Sequence, residues 1–394
     1  MSSPVLAYPY PYKAWLTMAN DPDNTEIKDW RELHEFIWQE LELPFGDSLF
    51  VRSFNQNLPN QVNLTDNPEI AKAHLHDIVH TWGDYMHGRK RGFDREDAVE
   101  AISLLEQHGV APRVWIDHAS FVGNMLHGTQ KGAIPNANDG SGYVYQNFLY
   151  TLDLAQKLGV RYIWNGEVTA TIGQGRELNF NDYSRLHDGN SLKAAVKSTL
   201  GKLPSDSGVF AQPDNRQYYK HRFPDNSELY CFRRYGTWKD ADINGLYNVI
   251  KPELIDNLIK SKGTSVVYSH LGKRQIKSMG NAQHIPDNTR EALRYLSTKF
   301  KKKELMLSSV SEMLDYLVIS EKIEADAKSN RINLVSDGIR YKKLHQSDLT
   351  LKGFSFRSKG FNPKSVEVRI DGQTTKCRVK ENTADIFSIY FGDK

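Results

Sequence analysis

The sequence predicts an α/β protein, a parallel sheet or barrel followed by a small all-β module. Three observations predict it. Amphipathic helical segments repeatedly stop at a glycine and give way at once to a short apolar run. Polar residues of chemical interest stand just after those runs. From Arg331 onward the pattern changes to short alternating segments separated by turn signals.

The elements follow in order. Lys13-Ala-Trp-Leu-Thr-Met18 reads as a buried strand ending at Asn20-Asp-Pro-Asp23. Thr25 to Leu41 carries Ile27, Trp30, Leu33, Phe36 and Ile37 at helical spacing, with Thr25 as the expected N-cap. Phe50 to Phe54 is a second strand. Asp94 to Gln107 is an amphipathic helix stopped near Gly109, and the strand Pro112 to Ile116 follows. Phe148 to Leu158, Gly159 and the strand Arg161 to Trp164 repeat the unit, as do Leu254 to Ser261, Gly263 and Thr264 to Tyr268. In the tail, Ile332-Asn-Leu, Leu349-Thr-Leu, Phe354-Ser-Phe, Val366 to Ile370, the turn Asp371-Gly and Ile386 to Tyr390 make the β module.

Length and composition set the frame. At 394 residues the chain exceeds what one core usually fills, so two domains are expected, 1–325 and 326–394, joined near Glu321 to Asn330. The hydrophobic share of 39% and charged share of 25% are those of a globular protein. A net charge of +3 gives no case for nucleic acid as a partner. No run of residues is long and apolar enough for a membrane span. The N-terminus shows no secretory pattern, and two distant cysteines, Cys231 and Cys377, fit neither a zinc spacing nor a disulfide framework. A cytoplasmic location is the expectation. Aromatics at 11% are a mild pointer to sugar stacking, since cores consume most such rings.

The chemistry concentrates at the strand ends. Asp21 and Asp23 are carboxylates on alternate residues, stiffened by Pro22. They can divide metal ligation and proton abstraction between them, or simply form an Asx-turn before the next helix. The stretch from His74 through His76, Asp77, His80 and Asp84 to His87 holds four of the thirteen histidines. His76 with His80, or His80 with Asp84, is spaced to share one ion on a helical turn or compact loop. His118, beside Asp117, and His270, in Val267-Tyr-Ser-His270-Leu-Gly272, follow buried strands and serve as ligands, proton-transfer groups or packed core histidines. Arg233 and Arg234 offer two guanidiniums for an anionic substrate group or for ion pairs. Glu167 orients a ligand, touches substrate or caps a helix. Gly123, Gly128, Gly140 and Gly142 lie in a loop with no phosphate-binding context.

In their order along the chain these motifs resemble the polysaccharide deacetylases, the NodB-homology group of carbohydrate esterases. Asp21 and Asp23 stand for the family's early aspartate pair, His80-Thr-Trp-Gly-Asp84 for its second motif, and Val267-Tyr-Ser-His270 for its late one. With Gly92-Phe-Asp-Arg, Trp115-Ile-Asp-His118 and Phe232-Arg-Arg, the pattern is similar to the WbmS-like branch found in bacterial O-antigen clusters. The resemblance covers most of residues 13 to 320. It implies a distorted (β/α) barrel, a divalent metal, commonly zinc, and removal of an N-acetyl group from an amino sugar or glycan. Carried over, Asp23 and His80 are metal ligands, with Asp84 or His118 as the third. Asp21 is the base and His270 the acid. Trp82, Glu167, Arg233 and Arg234 contact substrate. This chain departs from the family where Pro22 separates the aspartates, where Asp84 replaces a histidine, and where Asp117-His118 replaces an arginine motif. Two alternatives stand beside this expectation, another metal-dependent C–N hydrolase such as a deformylase, and a non-catalytic sugar-binding protein on the same scaffold.

Overall fold

The apolar runs build one large, mostly parallel sheet. The computed structural model describes residues 4–56, 58–73, 77–85, 93–117, 144–145, 148–149, 151–169, 171–177, 215–223, 226–236, 240, 242–273, 285–334 and 353–391. Among these residues, in chain order, the strands before the tail are β1 (Trp15–Asn20), β2 (Gly46–Leu49), β3 (Ile78–His80), β4 (Val114–Ile116), β5 (Val144–Tyr145), β6 (Phe148–Leu149), β7 (Tyr162–Trp164), β8 (Val168–Thr169), β9 (Tyr218–Arg222), β10 (Glu228–Phe232), β11 (Arg234–Tyr235), β12 (Thr264–Ser269) and β13 (Met306–Ser308). β5 and β6 pair with each other. The rest run β8-β11-β12-β1-β2-β3-β4-β7-β10-β9, with β13 beside the start of β1. Every ladder on that path is parallel except β9 with β10.

The α-helices among the described residues are α1 (Ile27–Leu33), α2 (Ile70–Ala73), α3 (Arg95–Gln107), α4 (Leu152–Leu158), α5 (Ile243–Ile250), α6 (Pro252–Ser261), α7 (Asp287–Lys301) and α8 (Val310–Ser320). Apolar side chains alternate across the sheet, as the pleat requires. Leu16, Met18 and Val267 meet α5, α6 and α7 through Leu246, Leu258 and Leu293. Val79, Trp115 and Ile163 meet α3 and α4 through Ala101, Leu105 and Leu152. The opposite face gathers Trp15, Ile78, Ile116, Trp164 and Tyr268 with Met313 and Tyr316 of α8.

That opposite face is the inside of a rolled sheet. Trp164 on β7 and Tyr268 on β12 are five strand steps apart, about 24 Å if the sheet were flat. Their ring centroids are 4.9 Å apart. Rolling is therefore strong enough to bring these strand ends together.

Several local expectations change. The helix from Ile27 turns into a π-helical stretch at His34–Glu40. Its N-cap is Glu26, which makes no side-chain cap bond, while the Thr25 hydroxyl turns to the Asp23 carbonyl at 3.5 Å. The second strand is Gly46–Leu49, upstream of the apolar Phe50 to Phe54. Its polar residues are buried because they are hydrogen-bonded: Asp47 accepts from Asn20 Nδ2 at 2.7 Å and Trp30 Nε1 at 2.6 Å. His80 ends a strand, so the helical i, i+4 spacing with Asp84 does not apply.

The tail forms two small sheets. One orders β14 (Ile323–Asp326), β15 (Arg331–Leu334), β17 (Glu367–Ile370) and β18 (Gln373–Thr374) as β14-β15-β17-β18. The other orders β16 (Phe354–Arg357), β20 (Ile386–Tyr390) and β19 (Arg378–Thr383) as β16-β20-β19. The segment expected as a linker holds β14, and Leu349-Thr-Leu lies outside the described residues. The chain start joins this module: Leu6 N donates to Ser355 O and Arg357 N to Pro4 O, both at 2.8 Å. Phe354 stacks on Tyr316 of α8 with centroids 5.0 Å apart. Among the described residues no helix is long and apolar enough to cross a membrane.

Candidate metal centre

Parallel register puts the C-terminal ends of the strands at one edge. Asn20 is level with Ser269, His80 with Ile116, and Ile116 with Trp164. The next residues therefore meet outside that edge, where open and closed α/β sheets place their ligands. Asp21 continues the ladder, its N–H donating to Ser269 O at 2.8 Å. Its Oδ1 accepts the Asp23 N–H at 2.9 Å, so the Asx-turn is real and fixes the spacing of the two carboxylates.

Asp21 is the hub. His80 Nε2 lies 2.9 Å and His270 Nε2 3.1 Å from Asp21 Oδ2. The Tyr268 hydroxyl donates to the same oxygen. Asp21, Asp23 and His270 each present one ligand atom, and these atoms lie within 4.8 Å of one another. On its far side His270 Nδ1 is 3.1 Å from Asp242 Oδ1, at the N-terminus of α5. A carboxylate on one ring nitrogen fixes the orientation in which the other faces the site.

Burial and like charge set the electrostatics. Burial, and then the Asp21 charge, push the Asp23 carboxyl up to about 6. Burial pulls both imidazoles down, but Asp21 outweighs it. His80 ends raised, and His270, with Asp242 adding to the effect, rises to about 9. The His270 hydrogen bond in turn holds Asp242 below the usual carboxylate range. Two buried carboxylates and two imidazoles at one point are an oxygen and nitrogen donor set that fits zinc or a similar divalent cation.

The turn after β3 is built for this placement. Thr81 has φ +56° and Gly83 φ +149°. The Thr81 hydroxyl clips the turn, donating to Gly83 O at 3.0 Å and accepting from Gly83 N at 3.1 Å. Asp84 then bridges to Ser53, with its N–H on Arg52 O at 3.0 Å. It is buried but lies outside the Asp21–Asp23–His270 group. His118, His74, His76, His87 and the glycines from Gly123 to Gly142 lie outside the described residues.

The expected substrate contacts are placed differently from one another. Trp82 is fully buried, its Nε1 donating to Thr151 Oγ1 at 2.7 Å and its ring edge-on to Trp115 at 4.6 Å. It is a core residue and offers no ring face to a sugar. Arg233 Nε is committed to Glu167 Oε2 at 3.1 Å, and Glu167 Oε1 accepts from the Tyr219 hydroxyl. Arg234 lies between two rings, 4.5 Å from the centroids of both Trp164 and Tyr268. Burial, against the pull of Tyr268 and Asp21, lowers its pKa to about 10. Arg234 therefore packs against the site through Tyr268, while Arg233 is held in an ion pair with Glu167.

Two site residues escaped sequence reasoning. Tyr268 stands two positions before His270, a spacing that puts both on one strand face. Asp242 has no local motif and reaches the site only through a long-range bridge to His270. No protein-family model matches the chain, and no curated protein or solved structure matches it.

Proposed function

We propose that this chain is a metal-dependent hydrolase that removes an N-acetyl or related acyl group from an amino sugar. It would work on a distorted (β/α) barrel of the polysaccharide deacetylase type, on an intermediate of bacterial surface-polysaccharide assembly. One observation carries the reading: Asp21, Asp23, His80 and His270 come from three separate strand ends and meet around the Asp21 carboxylate. The setting proposed for this reaction is cytoplasmic.

Asp21 and His80 are the donors placed to hold the cation. When bound, it would polarise the amide carbonyl and make water acidic enough to attack near neutral pH. The resemblance gives Asp21 the role of base, but the hydrogen bonds favour Asp23. Both Asp21 oxygens are already acceptors, whereas Asp23 stands beside them with 8% of its surface exposed. Asp23 takes the proton of the attacking water. His270 gives a proton to the departing amine, with Asp242 holding its ring and stabilising its charge.

The test is zinc stoichiometry together with acetate release from N-acetylated, nucleotide-linked amino sugars. Asp21→Asn should lose both. Asp23→Asn and His270→Asn should lose on the order of 10²-fold or more in rate. An Asp21→Asn protein with full zinc and full activity would overturn the reading. Formate release from the matched N-formyl sugars, without acetate release, would move the assignment to a deformylase.

A further inference from the structure

Tyr268 contacts Asp21 without being a ligand type common in zinc sites or a proton-transfer residue at neutral pH, and its ring is held from several directions. Trp164 lies at 4.9 Å on one side and His270 edge-on at 5.1 Å. The Arg234 guanidinium lies 4.5 Å from its centroid and equally close to Trp164. All three rings are buried to within 6% exposure. A ring packed from these directions has one place for its hydroxyl, and that place is Asp21 Oδ2.

The consequence falls on Asp21. A carboxylate on a short side chain rotates about its last bond, and the site needs one orientation. Oδ1 is pinned by the Asp23 N–H at 2.9 Å. His80 and His270 cannot be the second pin, because each has other work at the site. The Tyr268 hydroxyl carries no such duty, and its strand, β12, is laddered to β1 over its full length. It is the fixed donor on the second oxygen.

We propose that Tyr268 is a positioning residue for the Asp21 centre. Its hydroxyl locks the carboxylate in the orientation at which His80 and His270 meet it, and Arg234 with Trp164 clamps the ring that carries the hydroxyl. The inference deepens the hydrolase reading and rests on it for the reaction, while its effect on Asp21 is visible without turnover.

The experiment compares wild type with Tyr268→Phe, which keeps the ring and removes the hydroxyl. Zinc affinity is read by competition with a chromogenic chelator, acetate release gives kcat and KM, and a urea transition reports folding. Outer contacts to metal ligands are typically worth 10–100-fold in affinity or rate. Tyr268→Phe should weaken zinc or lower kcat by that factor, with KM within about two-fold and the urea midpoint little changed. Placing p-aminophenylalanine at position 268, which restores an N–H donor on the same ring, should recover most of the loss. Unchanged zinc affinity and kcat in Tyr268→Phe would overturn the proposal and leave the hydrolase reading standing. If wild type binds zinc but releases no acyl group, the hydrolase reading fails, and weakened zinc binding in Tyr268→Phe still supports the lock. If wild type binds no zinc, both fall.

Discussion

Gly83 sits in the turn that delivers His80, and replacing it with alanine separates backbone strain from a steric clash. At φ +149° a side chain is strained in any surroundings, at roughly 1–3 kcal/mol. A Cβ built there also meets Arg52 O at 2.6 Å, well inside contact distance. That carbonyl is not free to give way, because it accepts the Asp84 N–H at 3.0 Å, and Phe54 N donates back to Asp84 O at 2.9 Å. Relieving the clash disturbs at least one of these bonds, at about 0.5–1.5 kcal/mol each. The expected cost of Gly83→Ala is therefore about 2–4 kcal/mol. Gly109 is the control. It follows α3 with φ +68°, and a Cβ there meets nothing within 4 Å, so Gly109→Ala should cost only the left-handed strain, about 1–2 kcal/mol.

Urea unfolding of the two variants, compared at a common m-value, measures the difference. Gly83→Ala should also weaken zinc binding, since the Thr81 clip around Gly83 sets where the His80 ring lies. A shift of about 1 Å at such a group can cost on the order of 10² in rate. Equal stability losses in the two glycine variants, with zinc affinity unchanged in Gly83→Ala, would refute the argument that this turn is fixed by Arg52.

Three further outcomes follow from buried groups away from the site. Asp315 on α8 accepts from Arg113 Nη2 at 2.7 Å and Tyr162 OH at 2.6 Å, so Asp315→Ala should cost about 3–5 kcal/mol in urea unfolding while the folded protein keeps its kcat. Asp77 has its carboxyl raised by burial, against the Ser311 N–H that it accepts, so the folded state binds its proton more tightly than the unfolded chain does. Its contribution is therefore favourable at acid pH and is lost as pH rises through the raised value. The stability of Asp77→Asn relative to wild type should climb as pH rises above the ordinary carboxylate range, and a flat difference would contradict this. A thiol reagent such as DTNB should reach at most Cys377 in the native protein, because burial shields Cys231 and raises its pKa. Two thiols should react only after unfolding.

The fold was legible where apolar periodicity and glycine stops agree. α3 begins at the Asp94 capping box and ends one residue before His108, as its pattern predicts, and β1, β7 and β12 fall within two residues of their expected starts. Legibility failed where burial is sustained by hydrogen bonds. The second strand was expected at the apolar Phe50 to Phe54, and the polar Gly46-Asp-Ser-Leu49 forms it because Asn20 and Trp30 satisfy Asp47. The same limit governs the site. Asp21, Asp23 and His270 were visible as polar residues after apolar runs, and His80 stood out by its neighbours. The pairing of His80 with Asp21, across the path β1-β2-β3, depends on how the sheet rolls, which no local pattern states. Trp82 misled for the opposite reason, because aromatic type alone does not distinguish a stacking surface from a core ring.

The two ends of the sheet spend charge in opposite ways, and the contrast yields a last prediction. At the N-terminal ends, one carboxylate, Asp315, faces Arg113, Arg161 and a phenol, an arrangement of unlike charges that folding favours. At the C-terminal ends, Asp21 and Asp23 are both buried side by side, and burial with mutual repulsion pushes Asp23 up to about 6. His80 and His270 answer Asp21, whereas Asp23 is a charge that burial and Asp21 disfavour, the kind of perturbation that clusters at functional sites. The cost can be recovered by experiment. With its folded pKa raised, Asp23 penalises the folded state increasingly as pH rises above the ordinary carboxylate range, and the penalty is complete above about pH 7. Asp23→Asn should therefore stabilise the chelator-treated protein at pH 7.5 by about 1–3 kcal/mol, since each tenfold gain in proton affinity on folding corresponds to roughly 1.4 kcal/mol, while abolishing acetate release. At pH 4 the gain should vanish. A metal-free Asp23→Asn protein that is less stable than wild type at pH 7.5 would mean that Asp23 serves the fold, and the case for a charge kept at the fold's expense would fail.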